Sequence, residues 1–439
     1  MHNLPRTTMS LGLAAGCAAA LALPYEAPAA DAPVLDLNTA AVRRQGPAAL
    51  DALLARWDRM KPGRERDQLA LAIDAVAAQR YATASRLYWY TDLASAQGAA
   101  RAAGRPILAL RMLGRLDEDL SCANSRFFRT TLYANAEVGK FLRDNFVLYW
   151  SSERAVPRVT IDFGDGRKLE RTTTGNSAHY VLDAAGNVID VLPGLYAPAV
   201  FKSELTKSVR LAQRVRKLGD TQRTLAVADH HRGEFEAVSK RFAAVAGTAF
   251  LRGRGRLLGD NEVGASAVAR AQRTTMAKMV VEVVDLGKIG IDAGRIAAED
   301  VSTWGAVGQK VWSLFVPAVP ERRMLQKAEP PMPALVLDAA SRALIAQVHN
   351  AGPVKATAAE LAAMFARLEQ VILADTALNE HVLRQQIRGA LAYHERRSFE
   401  ELNAWIYTTV FHTPKSDAWL GLLPRTDFTG LPGDGVVMR

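Results

Sequence analysis

The sequence predicts an α/β protein: one domain built on a mixed sheet flanked by helices, set between mostly α-helical N-terminal and C-terminal regions. Three observations predict it. Between about residues 86 and 210, runs with helical periodicity alternate with short apolar runs such as "PILALRML" and "FVLYW", the pattern of buried strands joined by helices. In the same stretch "GDG" separates "RVTIDF" from "KLERTTT", and Asp-Gly accepts the positive φ that a tight hairpin needs. After about residue 215 the strand-like runs give way to helical patterns.

Taken in order, the first 29 residues read as a signal peptide. "MHNLPRTT" is positively charged, "MSLGLAAGCAAALAL" is apolar but short for a bilayer span, and Ala27-Pro28-Ala29 is an A-x-A-like cleavage site. "LAAGC" loosely resembles a lipidation site at Cys17. The apolar run continues past that cysteine, however, and Ala14 stands where leucine is usual, so ordinary cleavage fits better. Residues 30–85 turn helical, with Leu69, Ile73, Val76 and Ala77 at helical spacing through "RERDQLALAIDAVAAQRYATASRLYWY". They predict a small helical layer.

In the 86–210 domain, "TDLASAQGAARAAGR" predicts a helix and "PILALRML" a buried strand ending at Gly114. "SRFFRTTLYANAEVGKFLRDN" predicts a second helical stretch and "FVLYW" a second strand. After the Asp-Gly hairpin, "HYVLD" and "NVIDVLPG" form a closing strand pair, and "PAVFKSELTKSVRLAQRVRKLG" a final helix. Residues 211–330 predict helices at "DTQRTLAVADHHRGEFEAVSKRFAAVAG", "EVGASAVARAQRTTMAKMVVEVVDLG" and "DVSTWGAVGQKVWSLFV". A proline-rich break precedes the last region, 331–439, where Thr357 with Glu360 and Ser398 with Glu401 match capping boxes.

The 439 residues are 49% hydrophobic and 23% charged, with a formal net charge of +10, an ordinary soluble composition with room for more than one core. The basic residues are spread along the chain, which gives no footprint for nucleic acid. The densest cluster, "LRGRGRLLGD" at 251–260, reads as a solvated loop rather than an anion-binding one. No stretch beyond the signal is long and apolar enough to span a membrane. There is no C-x-x-C-H, no H-E-x-x-H and no paired C-x-x-C, so neither a cofactor nor a metal is expected. His230 and His231 lie in a polar helical run and read as solvated. The aromatics Trp405, Tyr407, Phe411, Trp419 and Phe428 read as core, with a lid beside the α/β domain as the alternative.

Chemistry concentrates at Cys122, the one thiol left once the signal is cleaved. It stands at a predicted helix start, where unpaired backbone N–H groups and the macrodipole stabilise thiolate. Arg126 and Arg129 follow within two turns, while Asp117, Glu118 and Asp119 oppose them if they point inward. Polar neighbours Ser121, Asn124 and Ser125 suit an exposed helix cap better than a core. An inert, buried cysteine is the competing expectation.

The segment from about 90 to 210 resembles the thioredoxin-like fold of exported proteins. The resemblance rests on the opening "ASAQGAARAAGRPILAL", on Cys122-Ala123-Asn124-Ser125 where the family carries C-x-x-C, and on the closing stretch "HYVLDAAGNVIDVLPGLYAPAVFKSEL". It implies a periplasmic or secreted monothiol redox protein acting on protein or small-molecule thiols and disulfides. Cys122 would be the nucleophile, Ser125 would stabilise the thiolate and Arg126 would assist. Ser177 falls where the family places a cis-proline that presents backbone to substrate. His179, two residues on, would share that substrate-binding edge or act on Cys122. Ser125 in place of a second cysteine removes the resolving thiol. That departure leaves a redox-inactive binding or scaffold protein as the alternative, and soft-metal ligation, for instance of copper, by Cys122 and His179 as a third reading. The sequence carries no signal for oligomeric state.

Overall fold

The central sheet has five strands in the order β1-β3-β2-β6-β7. They are β1 (Trp89–Tyr90), β2 (Ile107–Leu113), β3 (Val147–Arg154), β6 (Ser177–Leu182) and β7 (Val188–Pro193). β1 and β2 run parallel to β3, whereas β6 is antiparallel to both β2 and β7, so the sheet is mixed. The structure, a computed structural model, describes residues 38–172, 176–258, 336–393, 397–411 and 413–416. The signal peptide expected at 1–29, the helices expected between 259 and 330, and Trp419 and Phe428 lie outside those residues.

β2 and β6 are buried along their whole length, which is why "ILALRML" is a continuous apolar run instead of an alternating one. Directly opposed residues share a face. Leu110 and His179 therefore point to one side, and Ala109 and Tyr180 to the other. The first face meets the helices that follow β2 and β7: the His179 ring lies 4.6 Å from Phe128 and 4.9 Å from Phe201. Phe201 belongs to α8 (Pro198–Val215).

Before the sheet, α1 (Thr39–Arg44), α2 (Pro47–Arg59) and α3 (Arg64–Ala77) form the expected helical layer. Arg43 donates to the carbonyls of Val76 and Trp89, each at 2.6 Å, tying that layer to the sheet edge. The sequence pattern predicts helix on through "LYWY". Instead, Ala78 turns left-handed after α3, a single turn α4 (Ala82–Ser85) follows, and Trp89–Tyr90 pairs with β3. Helix α5 (Leu93–Ala103) is capped by Asp92, whose side chain accepts from Ser95 N, and ends at left-handed Gly104. After β2 come α6 (Ala123–Phe127), a π-helical turn over Phe128–Leu132, and α7 (Ala136–Asn145). The Asp-Gly hairpin forms as expected from β4 (Arg158–Asp162) and β5 (Lys168–Thr172), but it is a separate two-stranded sheet.

Beyond the sheet, α9 (Asp220–Leu258) is continuous through 251–258, so the solvated loop expected at 251–260 is helix over those eight positions. The C-terminal region contributes α10 (Ala339–His349) and α11 (Ala358–Leu378), which passes into a π turn at Asn379–Leu383. It continues with α12 (Arg384–Tyr393) and α13 (Phe399–Trp405), which passes into a π turn at Ile406–Val410. Both expected capping boxes form, at Thr357 with Glu360 and at Ser398 with Glu401.

These helices are bonded into the sheet. Thr376 Oγ1 accepts from Ala197 N at 2.7 Å, and Asn379 Nδ2 donates to Leu195 O at 2.7 Å. Gly194 makes the second contact possible: its φ is +73°, and a Cβ there would lie 2.5 Å from the Asn379 amide. On the second sheet face Tyr180 packs 4.9 Å from Phe399 and donates to Asn403 Oδ1 at 2.8 Å. Arg111, a charged residue in the middle of β2, pairs with Glu153 and with Glu400 of α13 and stacks on Phe399.

Deepest of all is a buried ion cluster. Arg384 Nη1 donates to Glu204 Oε2 at 2.8 Å and to Glu380 Oε2 at 2.9 Å, and Nη2 to Asp190 Oδ2 at 2.7 Å. Arg388 lies 2.7 Å from Glu380 Oε1 and 3.3 Å from Glu204 Oε2. All five residues are at most 2% exposed. Burial works against the charge on Asp190 and Glu380, but the two arginines overcome it and hold both carboxyls below the usual range. Ser208 adds a 2.6 Å donation to Asp190 Oδ2. His231, expected to be solvated, is instead buried here, its Nε2 2.8 Å from Ile189 O.

Replacing Arg384 by Met leaves three buried carboxylates without their shared counter-ion. Chemical denaturation of Arg384→Met is expected to show a loss of about 3–5 kcal/mol. A loss below about 1 kcal/mol would mean that the cluster does not hold these elements together.

Candidate functional site

β2 delivers the chain to Cys122 through a tightly closed loop. Gly114 has φ +72°, donates to Arg154 O at 2.8 Å, and would place a Cβ 3.2 Å from Ser121 Cα. Glycine is required there because the loop returns against its own start. Cys122 N then donates to Leu113 O at 3.2 Å. The three acidic residues turn outward: Asp117 pairs with Arg115, Glu118 with Arg115 and Arg158, and Asp119 with Arg80.

Cys122 is the N-cap residue of α6, at the helix start the sequence indicates. Its surroundings differ from the exposed cap expected. Cys122, Ser121 and Ser125 are all 0% exposed, and Asn124 is buried beside them. Polar neighbours do not require water when they satisfy one another. Ser125 Oγ donates to the Ser121 hydroxyl (2.6 Å) or the Cys122 carbonyl (2.8 Å), so it serves the backbone and its neighbour instead of the sulfur. Arg126 turns toward the hairpin and donates to Thr172 Oγ1 at 2.9 Å.

Arg129, in the π turn after α6, is the cation that stays inside. Only 1% exposed, it donates to the carbonyl oxygens of Leu116 (3.0 Å), Glu118 and Asp119 (3.4 Å) and to Ser121 Oγ (3.2 Å). Burial lowers its pKa to about 10, partly offset by Tyr81, Asp119 and Cys122. It remains charged at neutral pH.

Ser177 and His179 share the sheet face that the sequence assigns them, and both are fully buried. The described residues contain no cis peptide bond. The His179 Nε2 shares a 2.7 Å hydrogen bond with the Tyr133 hydroxyl, and its ring packs among Phe128, Tyr133 and Phe201. Burial lowers its pKa to about 3. Nε2 is committed to Tyr133 and burial disfavours the protonated ring, so the hydrogen bonding of His179 is that of a structural residue.

The C-terminal π turn closes this end of the sheet. Tyr407 donates to Asn176 O at 3.3 Å, and Asn176 Nδ2 to Thr413 Oγ1 at 3.0 Å. Asn176 immediately precedes β6. Burial pushes the hydroxyls of Tyr133 and Tyr407 well above their ordinary value. Cys122 lies in the same buried core cluster as Tyr133 and Tyr407, at the end of the sheet that the C-terminal turn reaches. Tyr407 and Phe411 are core, as their spacing predicts, and Tyr407 bonds at the same end of the sheet as the cysteine. Tyr133, Asn176 and Thr413 carried no sequence signal, because only the fold brings them to the cysteine's end of the sheet.

Comparison with protein-family models, with curated proteins and with solved structures gives no significant match.

His179 and His231, the latter lowered by burial to about 4, stay neutral in the fold well below the ordinary value of 6.5. The unfolded chain takes up these protons first, so each histidine makes stability fall as pH drops from 6.5 toward 4, by about 1.4 kcal/mol per pH unit. Asp74, raised by burial to about 6, contributes the opposite slope, so the raw pH profile mixes signs. The stability gap between the parent and His179→Gln isolates one histidine. Denaturation at several pH values is expected to show that gap narrowing steadily below pH 6.5. A constant gap would mean that His179 is charged in the fold.

Proposed function

We propose that residues 86–210 form a thioredoxin-like domain of an exported protein, and that the chain works as a binding or scaffold protein with its cysteine site held shut. The fold assignment is supported by the succession of elements: strand β2, a loop, Cys122 at a helix start, a parallel neighbour β3, then an antiparallel closing pair β6–β7 and a final helix α8. The observation that carries the function is the complete burial of Cys122. A thiol that exchanges with disulfides must present its sulfur in line with an S–S bond, and here Tyr407 and the C-terminal region occupy that end of the sheet. Ser125, bonded to Ser121 and the Cys122 carbonyl, supplies no resolving group. The amino-terminal segment supports a periplasmic or secreted location.

A second reading, monothiol redox exchange at Cys122, is favoured by Arg129. Its buried guanidinium donates to carbonyl and hydroxyl oxygens and provides positive potential for a nearby thiolate. In that reading the Cys122 thiolate attacks a disulfide, one thiolate leaves, and an external thiol resolves the mixed disulfide. The C-terminal cover must open for this to occur.

Iodoacetamide labelling of the intact protein across pH, with Cys122→Ser as the blank, separates the two. The binding reading expects labelling to be slower than that of the unfolded chain by at least about 100-fold and to recover fully in denaturant. Native labelling at a rate near that of a free thiol would contradict it and leave the redox reading.

A further inference from the structure

We propose that a cleft at the far end of the sheet binds a small molecule carrying a phosphate or diphosphate on a compact apolar body. The cleft encloses about 430 Å³, within the range of small-ligand sites. It lies where β2 begins and β6 ends, the end opposite Cys122, so the proposal stands independently of any reading of that cysteine.

Four guanidinium groups from separate parts of the fold line it: Arg101 of α5, Arg105 before β2, Arg216 at the end of α8 and Arg223 of α9. Each is tethered through a carbonyl. Arg101 donates to Ala184 O at 3.2 Å, Arg105 to Arg143 O at 2.5 Å, Arg216 to Gly104 O at 3.0 Å and Arg223 to Leu218 O at 3.1 Å. A guanidinium has five N–H donors, so one such bond fixes the fork while leaving donors for a ligand. The negative charge nearby is already engaged, in part with Arg223 itself, so Arg101, Arg105 and Arg216 carry the charge open to a ligand. Asp183 accepts from Ala185 N, Asn187 N and Asn187 Nδ2, each at 2.9 Å, and lies 3.5 Å from Arg223. Asp220 holds Arg223 at 2.9 Å, and Asp144, which feels Arg105, is bonded to Lys140.

Converging cations repel one another and are relieved by an anion, and the planar fork of arginine matches phosphate oxygens in pairs. The remaining lining gives the second part of the specificity. Pro106, Ala184 and Ala185 line the cleft with surface that is partly or fully exposed, a surface for an apolar body rather than for a bare ion. Gly104 fits the same design: a Cβ there would lie 3.0 Å from the Arg216 guanidinium it anchors.

Calorimetric titration of the full chain with pyrophosphate at low ionic strength tests the proposal, with R101Q/R216Q as the comparison. Both side chains are exposed, so the double variant is expected to keep the parent's circular dichroism. Should it fail to fold, R101Q alone replaces it. The expected result is saturable binding to the parent, weakened at least 10-fold in the variant and falling with added salt. No saturable heat, or equal affinity in the variant, would overturn the proposal. So would co-sedimentation with phosphatidylglycerol vesicles in the absence of pyrophosphate binding, since that would identify a membrane surface as the source of phosphate.

Discussion

The structure depends on the charges buried where α12 meets β7 and α8. Arg384 alone bridges Asp190 of a central-sheet strand, Glu204 of the helix beside it and Glu380 of its own π turn. Charges at this depth are costly to desolvate and are tolerated only when their partners are in place. The cluster seats α12 where Arg384 and Arg388 meet Asp190, Glu204 and Glu380. Lys207 and Glu234 extend the network toward the surface through Glu204, bringing α9 into the same arrangement.

From that anchor the remaining C-terminal contacts follow. With α12 fixed, α13 reaches across the second sheet face to Tyr180 and Arg111, and its π turn carries Tyr407 to the end of the sheet where Cys122 lies. The described residues contain π turns at Phe128–Leu132, Asn379–Leu383 and Ile406–Val410, and each bears a group central to the account: Arg129, Glu380 and Tyr407. A π turn admits an extra residue and re-aims the side chains around it. The closed thiol site and the ion cluster both depend on such re-aimed positions.

Much of the framework is legible in the sequence for local reasons. "PILALRML" is continuous because β2 is covered on both faces, Asp-Gly sets the hairpin, and Thr357 and Ser398 cap their helices with Glu360 and Glu401. Trp89–Tyr90 was hidden because two residues have no period; β3 alone makes them a strand. The ion cluster was hidden because a charge on a helix reads as solvated, while the partners of Arg384 lie 180 and 194 residues away along the chain. His231 reads as solvated for the same reason, although it is buried against Ile189. At the site, the helix start at Cys122 was legible, but its burial was not. Serine and asparagine look like surface until Ser121 and Ser125 are seen to bond within the core.

The central claim is that the C-terminal helices belong to the sheet's own cooperative unit instead of resting on it. Native-state hydrogen exchange of the intact protein measures this directly, by comparing the opening free energies of amides in α12 and α13 with those in β2 and β6. Both sets are expected to exchange only through the same global opening and to respond alike to low concentrations of denaturant. Exchange of α12 and α13 through a separate opening that leaves β2 and β6 protected would contradict it, and would make the cover over Cys122 a detachable one.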